Sequence, residues 1–227
     1  MPLFLLPPAF LGIAFLYSMA GFGGGSSYIA LLAISGIPVA SIPVLALSCN
    51  LIVSTQGSIL LYRRGHFRLK WIMPLVATSV PAAYLGGSWH LGSETFITIL
   101  AAVLTLAGLA LAVPAGKPEH SGGRDARPVQ LHLMRIGRAK SIAASASVFI
   151  AINSLAGLAG QLSKGTGELS AIPAYLYVAC PLAVLAGGFL GSRHLVHTLD
   201  PLRVRRITAI VVLLVAVRLW LKVATGY

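Results

Sequence analysis

Long apolar blocks joined by short loops leave this chain little choice of surroundings. A helix that spans a bilayer needs about 20 predominantly apolar residues. Runs near 40–62, 71–89, 95–113, 141–162, 170–192 and 204–223 each fit one crossing. The first run, 3–36, is too long for one ordinary helix and short for two full ones. Only 10% of the residues are charged, and the mean hydropathy is +0.87. A soluble domain carries about 25% charged residues, so this chain cannot cover a water-facing surface. The expected fold class is an all-α integral membrane protein with the lipid bilayer as its partner.

The net charge of +12 does not point to nucleic acid. Basic nucleic-acid binders gather charge on a soluble face, whereas the Lys and Arg residues here sit in loops between apolar runs. Those loops alternate. Loops 63–70, 114–140 and 193–206 are strongly basic, while those holding Glu94, and Lys164 with Glu168, are nearly neutral. Cytoplasmic loops are enriched in Lys and Arg, so the three basic loops are expected in the cytoplasm. The start, Met1-Pro2-Leu3, has no basic n-region, so a cleaved signal peptide is not expected. Cys49 and Cys180 lie inside apolar segments. They read as small apolar filler rather than as disulfide partners or metal ligands.

Two stretches resemble each other. Leu47-Ser48-Cys49-Asn50 is echoed by Ala151-Ile152-Asn153-Ser154, and Tyr84-Leu85-Gly86 by Phe189-Leu190-Gly191, each of the latter followed by His-Leu. Asn50 and Asn153 lie nearly as far apart as Gly86 and Gly191, which points to an internal duplication. By the loop charges, 40–62 and 141–162 run in opposite directions, so the halves are inverted. Many secondary transporters are built this way, with the substrate site near the midplane at the repeat interface. Inversion requires an odd number of crossings per half. Residues 3–36 are therefore expected to form a helical hairpin or re-entrant pair turning around Gly21-Phe22-Gly23-Gly24-Gly25, although two short full crossings would give the same parity. The second half has no such hairpin; its place, roughly 116–130, is polar. The expected organisation is a first membrane repeat at 1–113, a basic cytoplasmic loop at 114–140 and a second, shortened repeat at 141–227.

The run Gly21-Phe22-Gly23-Gly24-Gly25-Ser26-Ser27 fails as a dinucleotide fingerprint, since no acidic residue follows at the right distance. Small residues also let membrane helices approach. As a helix break it explains more: successive glycines permit a tight turn, and a helix restarting at Ser26-Ser27 offers free N–H groups and partial positive charge, which suit an anion. Asn50, Ser54 and Ser58 share one helix face, as do Asn153, Gly157 and Gln161. Polar groups at that depth are costly unless paired or facing a cavity. The candidate substrate-binding residues are Gly23, Gly24, Gly25, Ser26, Ser27, Asn50, Ser54 and Asn153. No span contains Asp or Glu, so a carboxylate proton relay is unsupported. No nucleophile, acid pair or metal cluster is visible, so neither an enzyme nor a cofactor or metal is expected. Pro81 and Pro181 occupy matching places inside spans and are expected to kink them.

These residues resemble the TauE/SafE family of membrane transporters, the sulfite exporter or TSUP family. The carrying features are the Gly21–Ser27 run leading into Gly36-Ile37-Pro38, the Asn50 helix, the Tyr62-Arg63-Arg64-Gly65 exit and Pro81-Ala82-Ala83-Tyr84-Leu85-Gly86-Gly87. The second half adds Asn153-Ser154-Leu155-Ala156-Gly157 and Phe189-Leu190-Gly191-Ser192-Arg193. The resemblance implies a bacterial inner-membrane permease moving small sulfur-containing anions, such as sulfite or organosulfonates, coupled to an ion gradient. Family members usually carry the glycine-rich motif in both halves, and this chain departs there. The alternative is a degenerate, non-transporting homologue with a structural or assembly role.

Overall fold

The first apolar run breaks where its glycines cluster. One helix, α1, covers Leu6–Ala20 and a second, α2, covers Gly25–Ile34. The computed structural model describes residues 2–20, 24–63, 72–113, 128–165, 172–194 and 201–225, and their side chains except at 20, 39, 61, 93, 128–144, 194, 201–208, 211 and 222. Gly21, Phe22 and Gly23 lie outside the described residues, as do His66, Trp71 and the basic residues of 64–70. After α2 the chain turns at Gly36, whose φ of +75° lies in the left-handed region that favours glycine.

Six further helices follow among the described residues: α3 (Ile42–Arg63), α4 (Met73–Ser88), α5 (Ser93–Ala112), α6 (Pro128–Leu162), α7 (Leu176–His194) and α8 (Pro201–Thr225). Among the described residues there is no strand. Four stretches of the described residues are long and apolar enough to cross a membrane: Ile42–Leu60, Glu94–Ala112, Ser145–Leu162 and Ala174–Arg193. The helix α4, at 16 residues, and α8, whose side chains are described only in part, fall outside that set. The helix α6 starts earlier than its apolar run, so part of the expected loop 114–140 is helical. Pro128 stands at its first position, where proline is tolerated, and Leu131, Leu133, Met134 and Arg135 are good helix formers.

The helices pack in a regular scheme. The α3–α6 pair forms the centre, α5 packs on α8, α3 also meets α7, and α4 also meets α6. Exchanging α3 with α6, α4 with α7 and α5 with α8 leaves this scheme unchanged. The helices α1 and α2 have no such counterparts: α1 lies along α7, and α2 lies between α3 and α8. The main apolar cluster brings Leu6, Phe10, Tyr28, Leu45, Cys49 and Val184 together across α1, α2, α3 and α7. A second cluster holds Ala30 of α2 against Ala101, Leu104, Val212 and Ala216 of α5 and α8. Much of the rest is exposed and apolar, including Leu85, Leu106, Leu182 and Leu214. That outer surface suits hydrocarbon rather than water.

Candidate functional site

The α2 N-terminus lies inside the protein. Gly24 precedes its first residue and supplies no side-chain cap. The first helical bond runs from the Tyr28 N–H to the Gly24 carbonyl at 3.0 Å. The N–H groups of Gly25, Ser26 and Ser27 therefore precede the intrahelical ladder and carry the positive end of the helix dipole. Glycine is needed here for space. A Cβ on Gly24 would stand 3.0 Å from both Ile13 Cγ2 and Tyr28 Cζ. A Cβ on Gly25 would stand 3.0 Å from Asn50 Cγ and 3.1 Å from both Asn50 Nδ2 and Oδ1.

Asn50 of α3 thus presents its amide to the start of α2. The residue is buried, and Nδ2 donates to Ser154 Oγ of α6 at 2.8 Å. Its Oδ1 is buried without a hydrogen-bond partner. An unsatisfied buried acceptor is uncommon in a folded protein and calls for a physical reason. Here the unsatisfied oxygen belongs to an amide placed between a helix N-terminus and the α3–α6 seam. Ser27 is also buried, and its Oγ lies 2.7 Å from the Tyr17 hydroxyl of α1. The site therefore draws on α1, α2, α3 and α6.

Sequence reasoning found part of this. Gly24, Gly25, Ser27 and Asn50 come together, and Ser26 is half-buried at the second position of α2. Gly23 lies outside the described residues. Ser54 is buried below Asn50, and its hydroxyl donates back to the Asn50 carbonyl at 2.6 Å. Asn153 turns to its own helix, with Nδ2 donating to the Phe149 carbonyl at 2.9 Å. Its neighbour Ser154 makes the contact across the seam. One residue along a helix is a rotation of about 100°, so the choice between Asn153 and Ser154 depends on the helix's exact rotation. Tyr17 and Ser154 were missed. A hydroxyl within one turn of the glycine run and a hydroxyl beside the second Asn were the available signals.

A second polar group lies between α3 and α7. Gln56 Nε2 donates to the Leu185 carbonyl at 3.0 Å, while its Oε1 and Ser18 Oγ flank Gly188. Nearby in the core Tyr28 stacks on Phe10 with ring centroids 4.7 Å apart. Among the described residues no three His, Cys, Asp or Glu side chains come together. The α2 terminus itself presents backbone N–H donors and a positive dipole end, with the Asn50 amide beside them. An anion is the ligand such a set holds best.

A sequence description of the sulfite exporter TauE/SafE family matches residues 6–138, which run from α1 into α6. This chain belongs to the TauE/SafE family. Membership makes it a membrane transport protein rather than an enzyme. The chain is also 28% identical, over 214 residues, to the "Probable membrane transporter protein y4hK" of Sinorhizobium fredii (strain NBRC 101917 / NGR234). That match covers 81% of this chain and 84% of the relative. No solved structure matches this TauE/SafE member.

Proposed function

We propose that this chain is a multi-pass permease of the bacterial inner membrane that moves small sulfur-containing anions, such as sulfite or an organosulfonate, coupled to an ion gradient. One observation carries the anion site: the uncapped α2 N-terminus, with its free N–H groups, opens beside the Asn50 amide where α3 meets α6. The family description as a sulfite exporter supports the substrate class. The anion would be held by the N–H groups at Gly25–Ser27, with the Asn50 Nδ2 and the Ser27 hydroxyl as further donors. Ser54 and Asn153 would act from the flanking helix faces, and Gly23 and Gly24 would shape the turn. No cofactor is needed for such binding.

The proposed architecture is two inverted repeats, 1–113 and 141–227, joined through 114–140. Six full crossings, α3 to α8, accompany the re-entrant pair α1–α2, with the basic loops 63–70, 114–140 and 193–206 cytoplasmic. The exchange symmetry of the helix packing supports this, as do Pro81 and Pro181 inside α4 and α7. Alternating access would come from the two halves rocking about the α3–α6 seam.

Flux of labelled sulfite and of an organosulfonate into proteoliposomes tests this. The intact chain is expected to transport at least one of them, and Gly24→Leu to lose that flux, because the new side chain drives into Ile13 and Tyr28. Absence of flux for any small anion would sink the transport claim and favour the second reading, a non-transporting homologue with a structural role. The uncovered outer face of α4 favours that reading. Equal flux in Gly24→Leu would remove the α2 terminus from the mechanism.

A further inference from the structure

A cavity of about 210 Å³ opens at one end of the helix bundle, away from the α2 terminus. Its walls come from Ala40 and Pro43 around the start of α3, Gly86 of α4, Trp89 to Gly92 between α4 and α5, Phe96 of α5, and Gln161 and Lys164 at the end of α6. The basic loops 63–70 and 114–140 follow the opposite ends of α3 and α5. In the topology proposed above, this end faces outward.

Glycine fixes one wall. A Cβ on Gly87 would meet the Gly157 carbonyl oxygen at 2.5 Å, and one on Gly160 would collide with the Tyr84 carbonyl and lie 2.9 Å from the Ser88 nitrogen. The last turns of α4 and α6 are therefore in backbone contact. This clamp holds Trp89 and His90 across from Gln161 and Lys164. Lys164 closes α6, and the chain leaves through Gly165 at a φ of +99°. A cation is favoured at a helix C-terminus, so the ammonium is held at the cavity's edge. Gly92 precedes α5 without a side-chain cap, and the first helical bond there is Phe96 N–H to the Gly92 carbonyl at 2.9 Å. The free N–H groups of the α5 first turn thus begin where Gly92 and Phe96 line the cavity.

Among the described residues the lining offers one ammonium, one imidazole, one amide, one indole N–H and a helix N-terminus, with no carboxylate. Glu94 is exposed in the α5 first turn but does not line the cavity. Since one water occupies about 30 Å³, there is room for a small oxyanion with part of its hydration shell. We propose that this cavity is an outer oxyanion-binding vestibule, separate from the α2 terminus, in which Lys164, Gln161 and His90 collect the anion before it enters the bundle. The entry role rests on the transport reading, whereas the binding itself does not. Free oxyanions and the phosphate of an anionic lipid headgroup share the required chemistry, and the free anion is the one assigned here.

Trp89 is a built-in reporter. With Trp71 and Trp220 changed to Phe, sulfite titrated into the detergent-purified chain is expected to change Trp89 emission saturably. Lys164→Gln should weaken that saturation about tenfold, the scale of one charge-assisted contact. Asn50→Ala should keep the emission response while losing flux, which separates this site from the inner one. In proteoliposomes Lys164→Gln should raise KM with kcat kept. No saturable response to sulfite, or an unchanged one in Lys164→Gln, would overturn the proposal. So would a response lost together with flux in Asn50→Ala. A response only in nanodiscs containing phosphatidylglycerol, and not to sulfite, would assign the cavity to lipid and overturn the vestibule.

Discussion

The helices α4 and α7 carry similar sequences and end in different surroundings. On α7, glycine receives α1. A Cβ on Gly187 would collide with the Leu11 carbonyl and one on Gly191 with the Phe15 carbonyl. On α4, Tyr84-Leu85-Gly86 repeats the pattern Phe189-Leu190-Gly191, yet among the described residues nothing lies within 4 Å of a Cβ placed on Gly86. Its helix has Gly87 as its one buried residue, and that residue faces α6. The same local signal therefore marks a close helix crossing in one place and an open position at the edge of the cavity in the other. A small residue permits approach, but the partner helix decides whether the approach happens.

This difference makes the two glycines the sharpest place to intervene. The largest effect is expected for Gly191→Leu. Leucine there must push α1 off α7, and overpacking costs about 1–3 kcal/mol or more when the obstacle is backbone. A lowered thermal midpoint in detergent, or loss of folded yield, is the measurement. A wild-type midpoint would mean that α1 does not seat on α7 as described. Asn50→Ala comes next, because it exchanges a polar contact across the α3–α6 seam for a methyl. Interhelical hydrogen bonds of this kind average about 0.6 kcal/mol, so the midpoint should fall slightly while anion flux is lost. A large stability loss with flux retained would make Asn50 a structural residue. The smallest effect is expected for Gly86→Leu, with midpoint and yield close to wild type. A destabilisation comparable to Gly191→Leu would reveal that the α4 face is covered after all and erase the contrast.

Much of the fold could be read from the sequence because the bilayer enforces it. Apolar run lengths matched α3, α4, α5 and α8 to within a few residues, since unsatisfied backbone in lipid is too costly for other solutions. They missed the early start of α6, where a polar helical extension needs no apolar run, and the later start of α7. The separation of α1 from α2 was legible because glycine tolerates an interruption, and Asn50 because an amide inside an apolar helix needs a reason. Ser154 and Tyr17 were harder. Hydroxyls are common in membrane helices and often bond their own backbone, as Ser48, Ser54 and Ser58 do here. Nothing local distinguishes one that reaches a neighbouring helix. The Gly87, Gly157 and Gly160 contact was equally hidden, because helix rotation and partner choice are properties of the assembled bundle.

The shortness of α2 has an electrical consequence. Its 10 residues reach about 15 Å at 1.5 Å per residue, roughly half of a hydrocarbon core about 30 Å thick. With the re-entrant placement proposed above, an ion held at the α2 N-terminus has crossed about half of the membrane's voltage drop. The full drop acts on one elementary charge with about 2.3 kcal/mol per 100 mV, so about half of that falls on each charge of the bound ion. Occupancy of such a site would follow the membrane potential as well as concentration, and a cell could fill or empty it by polarising its membrane.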